Sequence, residues 1–204
     1  TVEITRFPDN TFKFNIDKSK IKSSNELQWN LESMEELFTL IGLADKLKDF
    51  KTQLRIPYLP NARMDKTVNN EEGFMLKYFM KTVDKLGFES ITVLDPHSSV
   101  YKSFSKKSKW KEDEYTLRSL VFKTILNVKA ISNSEDITLV YPDKGSKARY
   151  TSLIGETKNL VGVKSRSEKT GEIVSFDLLG DVPEGPVLIV DDIIDTGYTM
   201  EFVI

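Results

Sequence analysis

The chain has 204 residues, 39% of them apolar and 29% charged, which is enough for one large domain or two modest ones. A formal net charge of −2 excludes the basic excess of a protein whose main partner is a nucleic-acid backbone. Cysteine is absent and His97 is the only histidine, which removes disulfides, thiolate sites and all-histidine metal clusters. With no apolar run near the roughly 20 residues of a membrane span and no opening signal peptide, the expectation is a cytoplasmic protein without membrane partners. The chain starts at Thr1 and stops five residues after its last motif, so both ends are expected to be trimmed.

In chain order, MEELFTLIGLADKLK at 34–48 places Met34, Leu37, Phe38, Ile41 and Ala44 on one helical stripe. QLRIPYLP at 53–60 reads as a strand closed by proline. Residues 71–86 again carry helical spacing through Phe74, Met75, Tyr78, Phe79, Val83 and Leu86, and Gly87 follows as a stop signal. ITVLD at 91–95 is the next strand, and the charged stretch 101–115 reads as a surface loop. A helix at 116–128 is expected to turn Leu117, Leu120, Val121 and Ile125 inward.

A second series follows: a strand at 137–142, a helix near 146–154, and strands at 159–164, 172–179 and 187–192. The polar, glycine-bearing SRSEKTG between two of these strands predicts a hairpin or flap. Alternating strands and helices predict an α/β protein with mostly parallel sheets. SNSED at 132–136 breaks the apolar pattern, so the expected domains are 1–133 and 134–204.

In open parallel sheets ligands bind beyond the carboxyl ends of strands. The four segments found there are Pro60-Asn61-Ala62-Arg63-Met64-Asp65-Lys66, Asp95-Pro96-His97-Ser98, Pro142-Asp143-Lys144-Gly145, and Asp191-Asp192 with its following turn. Any one of them alone reads as a solvated strand end; four in corresponding positions, one holding the only histidine, favour a site. The turn Asp195-Thr196-Gly197-Tyr198-Thr199, entering a helix, offers backbone N–H groups and hydroxyls to an anion. Asp191 and Asp192 are acceptors suited to the vicinal hydroxyls of a sugar, so the pair and the turn describe a sugar phosphate.

VLIVDDIIDTGYT at 187–199 resembles the phosphoribosyl diphosphate (PRPP) binding motif of type I phosphoribosyltransferase folds. FPD at 7–9, IPYLPNARMDK at 56–66, VLDPHS at 93–98, YPDKG at 141–145 and KSR at 164–166 extend the resemblance, over almost the whole chain, to the ribose-phosphate pyrophosphokinase (PRPP synthetase) family. The resemblance implies two phosphoribosyltransferase-like domains, the second truncated, and magnesium-dependent transfer of pyrophosphate from ATP to ribose 5-phosphate for nucleotide biosynthesis. It implies that Asp191 and Asp192 hold ribose hydroxyls and that Asp195, Thr196, Gly197 and Thr199 surround the 5-phosphate. His97 and Asp143 match the family's metal-linked histidine and aspartate, and Lys164 and Arg166 match the cations of its catalytic flap. Arg63, Asp65 and His97 fall on the ATP side, where Phe7 and Asp9 match a segment that lines the adenine pocket from a neighbouring subunit, which implies a homo-oligomer. Without the resemblance, Lys164 and Arg166 read as a solvated hairpin and Phe7 as core.

Three positions depart from the family pattern. Thr11 stands where a glutamate is usual, Met64 where a glutamine is usual, and Tyr198 at a turn position often held by glycine. The first two lie on the nucleotide side, which leaves open a catalytically silent, nucleotide-binding regulatory homologue. A phosphoribosyltransferase that consumes PRPP is the remaining alternative; the first domain counts against it.

Overall fold

The computed structural model describes residues 2–9, 11–31, 34–67, 71–104, 109–166, 173–195, 197–201 and 203. The chain divides into two compact units, Thr1–Asp113 and Glu114–Ile204, each with its own four-stranded sheet. The architecture is α/β, as expected.

The first unit opens with an antiparallel hairpin, β1 (Val2–Arg6) and β2 (Phe12–Ile16), which stands as a two-stranded sheet. Next come β3 (Ser24–Gln28), α1 (Met34–Leu47), β4 (Lys51–Ile56), α2 (Met75–Asp84), β5 (Ser90–Val93), α3 (Tyr101–Phe104) and β6 (Trp110–Glu112). The strands form a wholly parallel sheet in the order β3-β4-β5-β6. Alternation makes the sheet one-sided: Thr52, Leu54 and Ile56 of β4 are buried, while Lys51 and Gln53 between them are exposed. Leu54, Ile56, Ile91 and Val93 share a core with Leu40 and Ala44 of α1 and Leu76, Phe79, Met80 and Val83 of α2.

Both helices turn inward a face only partly the one expected: Ala44, Phe79 and Val83 are buried as expected, and Leu37, Phe74 and Leu86 pack against the core. In α1, Phe38 is 68% exposed and Ile41 lies at the surface, while Leu40, Leu43, Ala44 and Leu47 are buried. In α2, Met75 and Tyr78 are exposed, and Leu76 and Met80 take their places in the core. In each helix the apolar arc is wider than the buried stripe, so periodicity leaves the exact rotation open and packing against the sheet selects it. The stop at Gly87 is found, with φ at +84°. The expected loop at 101–115 instead contains α3 and β6, with 105–108 outside the described residues. Burial of Trp110, whose Nε1–H donates to Asp84 Oδ1 at 2.6 Å, holds β6 to the sheet edge.

The second unit contains α4 (Glu114–Ser132), β7 (Thr138–Tyr141), α5 (Lys144–Ile154), β8 (Asn159–Arg166), β9 (Ile173–Leu179), β10 (Val187–Ile189) and α6 (Tyr198–Glu201). Its sheet runs β10-β7-β8-β9; the first three strands are parallel and β9 is antiparallel to β8. The expected hairpin is thus the β8–β9 pair, its tip lying outside the described residues. On α4, Leu117 and Val121 are buried, but Leu120 is exposed rather than inward. The expected boundary at 133/134 falls at the far end of α4, whereas the compact units divide before it, because α4 packs against α5. Among the described residues no helix is long and apolar enough to cross a membrane.

Candidate functional site

Because β10, β7 and β8 run parallel, their carboxyl ends share one edge of the second sheet. Ile189 pairs with Val140, and continuing that register brings Asp191 and Asp192 level with Pro142 and Asp143. Tyr141 stacks on Tyr150 of α5, with ring centroids 6.4 Å apart, which seats the helix on the end of β7. Ser146 lies one helical turn before Tyr150 and is buried with it.

Asp143 is the N-cap of α5: its backbone is extended, and its Oδ1 accepts the Ser146 N–H at 2.9 Å. From β8, Lys164 Nζ donates to Asp143 Oδ2 at 3.1 Å. The Ser146 hydroxyl donates to Asp191 Oδ1 at 2.7 Å and lies 3.3 Å from Asp143 Oδ1. The Asp192 N–H donates to the same Asp191 oxygen at 3.1 Å. The predicted residues Asp143, Lys164, Asp191 and Asp192 therefore form one half-buried cluster.

The two carboxylates in contact with Ser146 titrate in opposite directions. Burial pushes Asp143 up, but the Ser146 N–H and the Lys164 ammonium outweigh it and hold the carboxyl below its ordinary value. Burial also pushes Asp191 up; the Ser146 hydroxyl opposes this, but the charges of Asp192 and Asp143 add to it and the carboxyl stays above its ordinary value. Gly162 of β8 completes the corner, since a Cβ there would meet Pro142 O and the Phe176 ring, both at 2.5 Å.

In the turn after β10, Gly197 takes φ +82° and its carbonyl accepts the N–H groups of Met200 and Glu201 at 2.7 and 3.1 Å. Asp195 is exposed. Thr196 and the side chains of Arg166, Tyr198 and Thr199 lie outside the described residues.

The nucleotide-side candidates fall in the first unit. Arg63 and Asp65 follow β4, and His97 follows the adjacent parallel strand β5, so both loops leave the same sheet edge. Arg63 and His97 are exposed, Asp65 is half-buried, and Asp95 beside the buried Pro96 takes φ +43°. Phe7 and Asp9 lie in the β1–β2 turn, where Phe7 is 44% exposed with Lys13 Nζ 5.9 Å from its ring centre. Thr11 donates its hydroxyl to Asp9 Oδ1 at 2.7 Å and its N–H to the same oxygen at 3.0 Å. The Thr11 hydroxyl holds Asp9 below the ordinary carboxylate range. Thr11 thus closes the turn, and Met64, the other departure on the nucleotide side, is 51% exposed.

Among the described residues no group of three or more His, Asp or Glu side chains could hold a metal ion. Asp143, half-exposed, offers one carboxylate, the kind of donor that a magnesium ion keeping most of its water accepts. The functional candidate missed in the sequence is Ser146. Its signal was the Asp-x-x-Ser spacing of a helix cap, obscured by starting the helix at 146 instead of Lys144.

No protein-family model matches the chain. It is 24% identical over 202 residues to the putative ribose-phosphate pyrophosphokinase 2 of Listeria innocua, covering 96% of this chain and 63% of that protein. It is 27% identical over 204 residues to the ribose-phosphate pyrophosphokinase of Campylobacter jejuni, covering 97% of this chain and 63% of that one. The chain therefore spans less than two thirds of the length of these curated relatives. The fold is similar to the crystal structure of phosphoribosylpyrophosphate synthetase from Mycobacterium smegmatis, with a TM-score of 0.70 at 19% identity over 98% of this chain and 65% of the other.

Proposed function

We propose that this chain, a relative of the ribose-phosphate pyrophosphokinases, carries the sugar-phosphate and flap residues of a PRPP-forming transferase. The anomeric hydroxyl of ribose 5-phosphate attacks the β-phosphorus of ATP. The bond from that phosphorus to the α-phosphate bridging oxygen breaks, AMP leaves, and the hydroxyl proton is released. The observation that carries this reading is the convergence of Lys164, Asp143 and Asp191 at one sheet edge.

In this reading Asp191 and Asp192 accept from the ribose hydroxyls, and the Gly197 turn lies beside the 5-phosphate. Lys164 is held against Asp143 until phosphate oxygens compete for its ammonium, which then stabilises charge on the transferred group. Asp143 in the second unit and, separately, His97 in the first are groups that would hold magnesium, which would neutralise charge on the pyrophosphoryl oxygens when bound. Arg63, Asp65, Phe7 and Asp9 are the ATP-side residues. The same reading makes the protein a cytoplasmic homo-oligomer.

The test is incubation with ATP, Mg²⁺ and ribose 5-phosphate followed by ³¹P NMR, which should show AMP and PRPP forming together. Absence of AMP at high protein concentration sinks the enzyme reading. A second reading, a silent nucleotide-binding regulator, is favoured by Thr11, which occupies one Asp9 oxygen with two donors. Bound ATP without turnover, together with co-assembly with an active synthetase, would select it.

A further inference from the structure

Ser146 is 5% exposed and addresses two carboxylates with different groups. Its backbone N–H serves Asp143, while its hydroxyl makes its shorter contact, 2.7 Å, with Asp191 and a longer one, 3.3 Å, with Asp143. The hydroxyl and the Asp192 N–H both fall on Asp191 Oδ1, so that among the described residues the acceptor capacity of Oδ2 is left to a ligand. Asp191 has reason to turn away from this position, because it is half-buried beside the like charges of Asp192 and Asp143.

We infer that Ser146 is a positioning residue: its hydroxyl locks the Asp191 carboxylate in the rotamer in which Oδ2 meets a sugar hydroxyl. The inference rests on the proposed function for the identity of the sugar, but not for the lock itself. Removing the hydroxyl leaves the 2.9 Å Ser146 N–H bond on Asp143 and takes only the longer 3.3 Å contact, so the Asp143–Lys164 pair survives and the larger loss falls on Asp191. A preorganised acceptor spends less of its binding energy on ordering, so losing the lock weakens binding without removing the contact.

The test combines two measurements on isotopically labelled protein: the three-bond couplings that report χ1 of Asp191, and calorimetric titration with ribose 5-phosphate. Wild type and Ser146→Thr, which keeps the hydroxyl, should each show one Asp191 rotamer. Ser146→Ala should show averaged couplings and bind ribose 5-phosphate about 5- to 30-fold more weakly. Averaged couplings in wild type, or one retained rotamer in Ser146→Ala, would overturn the inference. Should Ser146→Ala fail to fold, Ser146→Gly provides the same comparison, and the wild-type couplings decide independently. If the couplings change as expected while no form binds ribose 5-phosphate, the lock stands and the sugar-phosphate reading falls.

Discussion

Burial works against the ionised form of both Asp143 and Asp191, but Asp143 receives a cation, Lys164 at 3.1 Å, while Asp191 faces two more carboxylates. Because the folded pKa of Asp143 is depressed, its stabilising contribution is present above the unfolded carboxylate value of about 3.9 and is lost as pH falls through the folded one. Asp191 has the opposite sign: its raised pKa means that stability declines as pH rises from the unfolded value through the folded one. Asp191→Asn keeps an oxygen for Ser146 and Asp192 while removing the charge. It should melt about 2–4 °C higher at pH 7, with the gain vanishing near pH 3, and should lose ribose 5-phosphate binding. Asp143→Asn turns an amide nitrogen toward Lys164, whose side chain is 11% exposed. Water around the exposed part of Asp143 screens the pair, so urea unfolding at pH 7 should show a loss of about 1–2 kcal/mol that shrinks in acid. Two adjacent substitutions of one chemical type thus move stability in opposite directions.

At the scale of elements, the corner formed by β7, β8 and α5 depends on a glycine that the strand pattern NLVGVK does not single out. A Cβ at Gly162 would lie 2.5 Å from Pro142 O, and backbone cannot give way as a flexible side-chain end can. Gly162→Ala should therefore cost about 1–3 kcal/mol in urea unfolding, and should weaken ribose 5-phosphate binding by displacing the turn that carries Asp143. Unchanged binding at reduced stability would show that the turn does not transmit the shift. The order and type of most elements were legible because each carried its own periodicity and stop signal, as α2 does with Gly87. The buried faces of α1 and α2 were legible only in part, since the apolar arc of each is wider than its buried stripe and the sheet decides the final rotation. β6 was hidden in a charged stretch, where one buried Trp110 holds it in place.

At the scale of the molecule, the same distinction separates what was read from what was found. Asp191-Asp192 and the 195–199 turn stood out because two adjacent acids and a hydroxyl-rich, glycine-bearing turn fall within one short segment. Ser146 did not, because its role exists only through a partner that folding brings from 45 residues away. The compact units divide ahead of α4 for a similar reason: the helix packs with α5, a relation its own sequence does not state. Two compact units with separate sheets lead to a prediction about how ligands act on stability. A ligand at 100 times its Kd stabilises the structure that binds it by about 2.7 kcal/mol. Ribose 5-phosphate at that excess should slow the most protected amides of β7, β8 and β10 about 100-fold in hydrogen exchange, since they open with the second unit. Amides of β4 and β5 should keep their rates, because the predicted ligand residues lie outside their unit. Equal slowing in both sheets would mean that the chain unfolds as one cooperative body, and that the division in contacts is not a division in stability.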